Sequence, residues 1–503
     1  MKTILVDARN FAQMEPIIVR EMVAAKLRGF DTETFDDAHE KLREFRESGT
    51  KKVIFDVNRT TIAGFSLYAP DAPNAWYVNL NHFDAENRVP WGRAQVLLDC
   101  AASPLIIHNV PFERTMMRNS LGYELGDTIC TLQMAVSNHG PDEYDHARMG
   151  EIVHWEFNKL LGPVLREFRG YDPDVSRTLN SRQEELLSKV VAKESDAAWS
   201  YNGFVKNIAY HYDLKRLTKS LFGRQMTTFE EVINTPAAVE RAKAEGVKTD
   251  MRHLTGEEVC AYGGDDSYEA VQIFYELIAR MRPEVLQAFI TTENPLTAVY
   301  ADVWSKGMQI DLPAVEQKFK EEEVNRLQVM ESLRQIVQAA LPFPDAPNVE
   351  LMKREKWYYE KDKWQTQRAQ TVAWAGGSEV KFNPSHYFKT RTILYDLFGL
   401  SIVFDQGKVA SDADARGRML EDAIDGAREV LLGLKDLASI SQRLKLYLVP
   451  YQSLTDPETS RMYPVVSSKL ATRRMAASFP NPMQLAKHVA ESAYIRGFYI
   501  ADI

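Results

Sequence analysis

The sequence predicts an α/β protein in which a domain with a mixed sheet is followed by a mostly helical body. Short apolar runs that are typical of strands alternate with helical patterns through the first 140 residues. From about residue 256 onward, apolar residues recur at helical spacing over long stretches. The chain of 503 residues is too long for one hydrophobic core, so about two to four domains are expected.

The predicted elements of the first part alternate in type along the chain. Residues 14–28 have the apolar spacing of an amphipathic helix, and the segment FDTETF that follows is predicted as a strand and turn. The next predicted elements are strands at 53–58, 61–69 and 75–80, a helix at 91–103, a buried strand at 104–109 and a helix at 111–121. This alternation favours a layer of helices on a mixed sheet.

Residues 140–205 do not fit that alternation, and we interpret them as an inserted, mostly helical subdomain. Helical patterns dominate the rest of the chain. The predicted segments there are helices at 212–223 and 256–282, a helix, a Gly307 turn and a strand within 299–311, a long charged helix from about 313, a loop-rich stretch at 342–378 and a helix near 428–450.

The composition favours a reducing compartment and gives no sign of a membrane segment. No apolar run approaches the roughly 20 residues of a membrane span, and the N-terminus lacks the apolar core of a secretory signal. The three cysteines are far apart and form no C-x-x-C pair, which argues against structural zinc and disulfides and favours the cytoplasm. The net charge of −9 excludes little, because a large acidic enzyme can carry a local basic groove.

Four acidic motifs occur in a fixed order along the first half of the chain. They are FDTETF with Asp31 and Glu33, IIHNVPFERTMM with Glu113, GDTICTLQMA from Asp127, and AYGGDDSYEAVQIFYEL with Tyr262 and Asp266. Carboxylates are the ligands that hard divalent ions prefer, and two such ions about 3.5–4 Å apart can hydrolyse a phosphodiester. The motifs together therefore predict a two-metal nuclease site, although each motif taken singly is common and more often structural.

The fourth motif has two interpretations. On a helix, Tyr262 and Asp266 share one face, so the Tyr hydroxyl can hold an attacking water beside a metal ion. The GGDDS segment also looks like the hairpin of family B polymerases, which needs a strand on each side. We prefer the helix, because the residues that follow have helical spacing and Thr255 with Glu258 has the pattern of a capping box.

Taken together, these motifs resemble bacteriophage family A DNA polymerases, the polymerase I class, whose proofreading domain is a 3′–5′ exonuclease of the DEDDy group. The segments IAGFSLYAPDAPNAWYVNLNH and YDLKRLTKSLFGRQMTTFEEV share the resemblance. It implies an RNase H-like exonuclease domain at 1–285 that uses two Mg²⁺ or Mn²⁺ ions. It also implies that Tyr262 orients the water and that the metal ligands are Asp31, Glu33, Glu113 and Asp266. Glu113 stands where polymerase I has Asp, and it keeps the carboxylate on a longer side chain.

Residues 286–503 resemble a mostly helical polymerase thumb and the first part of a palm. NPLTAVYADVWSKGMQID resembles the palm entry, and the predicted helices near 313 and 428–450 resemble the two long thumb helices. YPVVSSKLATRRMAASFPNPMQ resembles the stretch that grips the primer-template in this family. The resemblance implies DNA contacts by Arg473, Arg474, Asn481 and Gln484, and by Asn109 in the second acidic motif.

The family's polymerase carboxylates do not occur before Ile503. We therefore expect a proofreading exonuclease that is also one half of a split phage DNA polymerase, completed by a second polypeptide with the palm and fingers, or else a truncated product. Its expected substrates are primer-template DNA and single-stranded 3′ ends, in the cytoplasm of an infected bacterium. Two alternatives are a nuclease-dead subunit that only positions DNA and a stand-alone exonuclease of the same fold that trims RNA. The insert at 140–205 either contacts DNA or is an elaboration without that role.

Overall fold

A computed structural model describes residues 1–36, 57–138, 212–405, 407–467, 474–485 and 490–501. Most of the predicted strand at 53–58, the predicted insert at 140–205 and Arg473 lie outside these residues. The chain divides into two compact units. The sheet unit comprises Met1–Met308 with Tyr463–Gln484, and the helical unit comprises Gln309–Met462 with Leu485–Ile503.

The strands of the described residues confirm the predicted mixed sheet. In chain order they are β1 (Lys2–Val6), β2 (Arg28–Asp36), β3 (Thr60–Tyr68), β4 (Asn74–Asn79), β5 (Leu105–Ile107), β6 (Thr128–Cys130), β7 (Met308–Gln309), β8 (Phe404–Asp405), β9 (Lys408–Val409), β10 (Thr455–Asp456), β11 (Arg461–Met462), β12 (Val465–Ser467) and β13 (Ala476–Ser478). The first six form one sheet in the order β1-β4-β3-β2-β5-β6. β3 is antiparallel to β2 and β4, whereas β1 runs parallel to β4, and β5 runs parallel to β2 and β6.

Helices account for most of the other described residues. They are α1 (Phe11–Ala24), α2 (Trp91–Ala94), α3 (Val96–Asp99), α4 (Val110–Leu121), α5 (Thr131–Asn138), α6 (Leu214–Phe222), α7 (Phe229–Ile233), α8 (Pro236–Glu245), α9 (Gly256–Arg280), α10 (Pro283–Ala288), α11 (Asn294–Lys306), α12 (Leu312–Ala340), α13 (Val349–Arg354), α14 (Lys356–Glu360), α15 (Lys363–Ala375), α16 (Tyr387–Arg391), α17 (Ala413–Asp422), α18 (Asp425–Arg443) and α19 (Val449–Leu454). Wider π-type turns follow α10, α16 and α18. Among these helices, none combines the length and apolarity that crossing a bilayer requires.

Several sequence predictions differ from these bounds. The first helix begins at Phe11 and ends at Ala24 rather than spanning 14–28, because the residues after Ala24 already lead into β2. FDTETF lies wholly within β2, without the predicted turn. The prediction of a loop-rich stretch at 342–378 is wrong, since α13, α14 and α15 occupy most of these residues. Their buried aromatics, among them Tyr358 and Trp374, join the core of the helical unit, so tertiary packing stabilises helices there despite weak local signals.

Helix α9 has the capping box that its sequence predicts. The Thr255 hydroxyl accepts a hydrogen bond from the Glu258 backbone N–H at 3.3 Å, and the Glu258 carboxylate accepts one from the Thr255 N–H at 2.7 Å. Because the GGDDS segment lies inside this 25-residue helix, the helical interpretation is confirmed and the polymerase hairpin is excluded.

Two glycines let α9 lie close against the sheet. A Cβ atom on Gly263 would stand 2.4 Å from the Tyr77 ring, and one on Gly264 would stand 2.2 Å from the Thr3 side chain. Glycine inside a helix costs about 1 kcal/mol relative to alanine, so the pair at this position is explained by the tight approach to β1 and β4. The approach brings the acidic face of α9 within reach of β2.

Gly29 on β2 makes the matching approach from the sheet side. A Cβ atom there would lie 2.3 Å from the backbone oxygen of Ser267, the residue after Asp266. Backbone cannot move aside as a flexible side chain can, so Gly29→Ala is expected to shift α9 and to destabilise the fold by about 1–3 kcal/mol. Chemical denaturation measures this loss. Gly92→Ala is the control, because within the described residues its added Cβ meets nothing within 4 Å; an equal loss in both variants would contradict the prediction.

The predicted long helices of the helical unit are confirmed as α12 and α18. A buried ion pair joins these two helices. Arg443 donates two hydrogen bonds to the buried carboxylate of Glu322, at 2.9 and 2.8 Å, and the Tyr494 hydroxyl donates a third at 3.1 Å. Such two-pronged pairs fix geometry as well as charge. The arrangement ties the two long helices to the segment near residue 494.

Several backbone groups of residues 309–311 form hydrogen bonds within the helical unit. The N–H of Ile310 donates to the Ser460 oxygen at 2.9 Å, and the N–H of Asp311 donates to the Phe498 oxygen at 2.8 Å. Ile500 in turn donates to the Gln309 oxygen at 3.0 Å. Segments distant in sequence therefore supply the hydrogen-bond partners of these backbone groups.

Candidate metal centre

The acidic motifs meet at the centre of the sheet unit. Asp31 and Glu33 are two residues apart on β2, so their side chains emerge on the same face of the strand. Beside them, β3 carries one extra residue, because Glu33 pairs with Gly64 whereas Thr34 pairs with Ile62. Bulges of this kind bend a strand and re-aim its side chains, and they are frequent next to functional sites.

The other two predicted acids come from helices. Glu113 lies in the first turn of α4, whose opening is fixed by the backbone oxygen of Asn109, which accepts from the Phe112 N–H at 2.9 Å. Asp266 lies on α9, one turn after Tyr262. All three of these side chains are buried.

Three of the four carboxylates form a compact group. Asp31, Glu33 and Asp266 each offer an oxygen within 4.8 Å of the others, a spacing that a single metal ion can bridge. Glu113 is not a member of that group; its carboxylate instead accepts a hydrogen bond from the Thr32 hydroxyl. The structure therefore brings together three predicted ligands and holds the fourth next to them on Thr32, the residue between Asp31 and Glu33.

The electrostatics of the group are those of crowded, poorly solvated carboxylates. Burial raises the pKa of Glu113 to about 8 and that of Asp266 to about 6. Burial, followed by repulsion from the neighbouring acids, raises the pKa of Asp31 and of Glu33 well above the ordinary range. Four such acids in one place are a candidate functional site, since strongly raised carboxyl pKa values cluster at functional sites.

A divalent ion fits this arrangement. The Asp266 Oδ1 atom is buried and has no hydrogen-bond partner among the described residues, although Lys215 Nζ lies 3.6 Å away. A buried carboxylate oxygen without a hydrogen bond costs about 1–3 kcal/mol or more, and a metal ion would satisfy it. The donor set consists of carboxylate oxygens alone, which suits Mg²⁺ or Mn²⁺ rather than zinc.

Tyr262 lies in a dry position beside the acids. Burial raises the pKa of its phenol well above the usual value, and the nearby Glu33 and Asp266 raise it further. The phenol therefore stays protonated near neutral pH. A hydroxyl in that state can orient a water molecule by hydrogen bonding, but it cannot act as the base.

Stability of the metal-free protein should fall as the pH rises, because of these carboxyl groups. An unfolded carboxyl releases its proton near pH 4, whereas Glu113 and Asp266 keep theirs up to about 8 and about 6. Between these values the folded state binds more protons than the unfolded state, so the free energy of unfolding decreases with pH. Thermal melting from pH 5 to pH 8.5 in EDTA should show the decrease. Mn²⁺ should raise the melting temperature more at pH 8 than at pH 6, since it needs deprotonated ligands; a uniform effect of Mn²⁺ would contradict this.

The predicted DNA-binding residues are spread over the sheet unit. Arg474 is exposed and lies two residues before the start of β13, which pairs with β12 in an antiparallel ladder. The Asn481 side chain accepts a hydrogen bond from the Met483 N–H at 2.9 Å, and Gln484 ends the short 3₁₀ helix Pro482–Gln484. Asn109 is half-buried at the start of α4. The structure thus groups Arg474, Asn481 and Gln484 in one segment, and their DNA contacts stay predictions.

Sequence reasoning missed two participants in the acidic site. Thr32 is the partner of Glu113, and its position between the two acids of the first motif was the available signal. Lys215 lies beside Asp266, but nothing in the pattern of α6 distinguishes it from Lys219, the other lysine of the helix. Only the tertiary structure brings α6 to α9.

The fold and the site define an α/β protein with a mixed sheet, a buried cluster of carboxylates and a second, helical unit. Comparison with known proteins shows distant homology to family A DNA polymerase I. The chain is 22% identical over 249 residues to "DNA polymerase I, thermostable" of Thermus filiformis, an alignment that covers 48% of this chain and 25% of that protein. No protein-family model matches the chain.

A solved structure shows the same relationship at the level of fold. The POL domain of Pol1 from M. smegmatis, in complex with DNA primer-template and dNTP, matches with a TM-score of 0.57 at 11% identity. The match covers 100% of this chain and 59% of that chain. The chain therefore spans only part of either protein, and the match at this identity concerns the fold.

Proposed function

We propose that the protein is a metal-dependent 3′–5′ exonuclease that acts on DNA within a family A polymerase system. The observation that carries the proposal is the group of Asp31, Glu33 and Asp266, whose oxygens lie within 4.8 Å of one another; Glu33 and Asp266 are buried and Asp31 is half-buried. The distant homology to DNA polymerase I gives the site its context. The DEDDy class, the RNase H-like assignment, the 1–285 and 286–503 domains and the phage setting are parts of the same proposal.

In this mechanism the carboxylates of Asp31, Glu33 and Asp266 would hold the divalent ions, and Glu113 would supply a fourth carboxylate. The ions, when bound, activate water and stabilise the charge of the transition state. Tyr262 orients the water through its hydroxyl. Water adds OH to the phosphorus of the last phosphodiester and a proton to the O3′ leaving group, so that a nucleoside 5′-monophosphate is released.

End-labelled substrates test the proposal directly. The purified chain with Mg²⁺ or Mn²⁺ should shorten a 5′-labelled DNA single strand one nucleotide at a time, and EDTA should stop the reaction. A 3′-phosphorothioate linkage should protect the strand if hydrolysis starts from the 3′ end. An RNA strand of the same sequence separates the alternatives: preferential digestion of RNA would favour the RNA-trimming enzyme, and no digestion of either would favour the nuclease-dead subunit.

Arg474 is proposed to hold DNA through its phosphates. It is exposed and precedes a strand of the segment that resembles the primer-template grip. Arg474→Ala should weaken duplex binding to a similar degree for all sequences and reduce the salt dependence by about one counterion. Fluorescence anisotropy with two unrelated duplexes at several salt concentrations measures both effects. Loss of affinity for only one of the duplexes would contradict a backbone contact.

Nucleotidyl transfer is a separate part of the proposal. The neighbour of known structure is a polymerase bound to primer-template and dNTP, which supports DNA binding by the chain. The predicted second polypeptide that completes a polymerase stays a prediction. Primer extension by the purified chain, with and without candidate partner polypeptides, tests it independently of the nuclease assay.

A further inference from the structure

We propose that Lys215 is a positioning and charge-compensating residue of the acidic site, which competes with the first divalent ion for Asp266 and gives the loaded site its net positive charge. This inference rests on the proposed nuclease function. It concerns a residue on α6, outside all of the acidic motifs.

The Lys215 ammonium has three neighbours at the acidic site. Its ammonium donates a hydrogen bond to the Thr227 oxygen at 2.8 Å, lies 3.6 Å from Asp266 Oδ1 and stands 4.0 Å from the centre of the Tyr262 ring. The distance to Asp266 is longer than a hydrogen bond, so that contact is one of charge. A cation over the face of Tyr262 favours one orientation of its ring. The same ammonium thus touches a proposed metal ligand and the proposed water-orienting group.

The surroundings hold Lys215 in this position. Arg224, in the loop after α6, contacts Asp265 at 2.7 Å and also pairs with the buried carboxylate of Glu269. Both acids belong to α9, so Arg224 ties the loop to the helix that carries Asp266. The Thr227 oxygen is fixed as well, because Thr228 begins α7 with a capping box. These contacts therefore fix the groups around Lys215, so its ammonium is held beside Asp266 by the surrounding structure.

A count of charges indicates what the lysine does. Four carboxylates carry −4 when deprotonated, two divalent ions bring +4, and Lys215 adds +1. The loaded site would then be +1, which matches the single negative charge of one phosphodiester. Without the lysine the loaded site would be neutral. Lys215 should thus weaken metal binding, because it repels the ion, and strengthen the hold on the scissile phosphate.

Lys215 is expected to weaken metal binding and to strengthen binding of the scissile phosphate. These opposite effects distinguish the proposed role from a structural one. Lys215→Met should bind Mn²⁺ at least about tenfold more tightly, because a unit charge about 5 Å from a divalent ion repels it by that much even at the dielectric constant of water. The same variant should digest DNA at least about tenfold more slowly. Lys215→Arg keeps the charge and should stay closer to the wild type in both measurements. A residue that only supported the fold would lower both metal affinity and activity.

Calorimetric titration of the full chain with Mn²⁺ alone, followed by the nuclease assay, is the test. Lys219→Met, one turn further along α6, removes a lysine from the same helix and should leave both values unchanged. If Lys215→Met melts at a lower temperature, Lys215→Gln repeats the titration with a polar side chain of similar length. Unchanged or weaker Mn²⁺ binding in a folded Lys215→Met or Lys215→Gln variant would overturn the inference while leaving the nuclease intact. A wild-type chain that binds no Mn²⁺ would instead overturn the proposed function itself.

Discussion

Replacing Asp31 and Glu33 together by alanine is expected to abolish the divalent-dependent shortening of a DNA single strand. The two side chains supply two of the three carboxylates whose oxygens lie within 4.8 Å of one another. Removal of one preorganised electrostatic group costs about 10²–10³-fold in rate, so the loss of both should exceed about 10³-fold. The measurement is digestion of a labelled strand with Mg²⁺, combined with Mn²⁺ titration of the same protein.

The double variant should remain folded. Asp31 and Glu33 repel each other and their neighbours in a buried site, so their removal relieves charge rather than breaking a stabilising contact. The melting temperature without metal should therefore not fall, and at pH 8 it should rise. Glu86→Ala with Glu240→Ala is the matched control, since it removes two exposed acids of the same unit. Undiminished digestion by the Asp31 and Glu33 variant would refute the assignment of the site.

The sequence predicted which residues form the site better than it predicted how they are arranged. Asp31, Glu33 and Asp266 could be found because strand alternation and helical spacing place each carboxylate on a defined face of its element. The helix through GGDDS could be predicted because its capping box is a local pattern. That Glu113 is held by Thr32 rather than joining the other three depends on the distance between α4 and β2, which no local pattern specifies.

The errors in the fold have a similar origin. Helices α13 to α15 were predicted as loops because their stretch contains PFPDAP, KWYYEKDKW and AGGSE. Contacts with distant residues stabilise them. The strand β1 was missed because its five residues are paired and half covered only once β4 lies beside it. Gly29, by contrast, is a feature that is visible in the sequence but whose cause is visible only in the structure. A Cβ atom at Gly29 would lie 2.3 Å from the backbone oxygen of Ser267. A glycine in a strand can signal such a close approach, but it does not say which element approaches.

Tyr262→Phe is expected to slow the nuclease by about 10²–10⁴-fold, the range for a positioned group that handles protons. The variant keeps the ring, its burial and its contact with the Lys215 ammonium at 4.0 Å from the ring centre; it removes only the hydroxyl. Mn²⁺ affinity and DNA affinity should therefore change little, so the loss should appear in the rate of bound substrate.

Single-turnover digestion of a DNA strand at saturating enzyme measures that rate. Tyr275→Phe, which removes a hydroxyl from an exposed tyrosine of the same helix, should digest at the wild-type rate. Because the raised pKa keeps the Tyr262 phenol protonated, its loss should lower the rate by a similar factor at pH 7 and pH 9. A Tyr262→Phe variant as fast as the wild type would show that the residue only packs α9 against the sheet, and the water would then have to be oriented by the carboxylates alone.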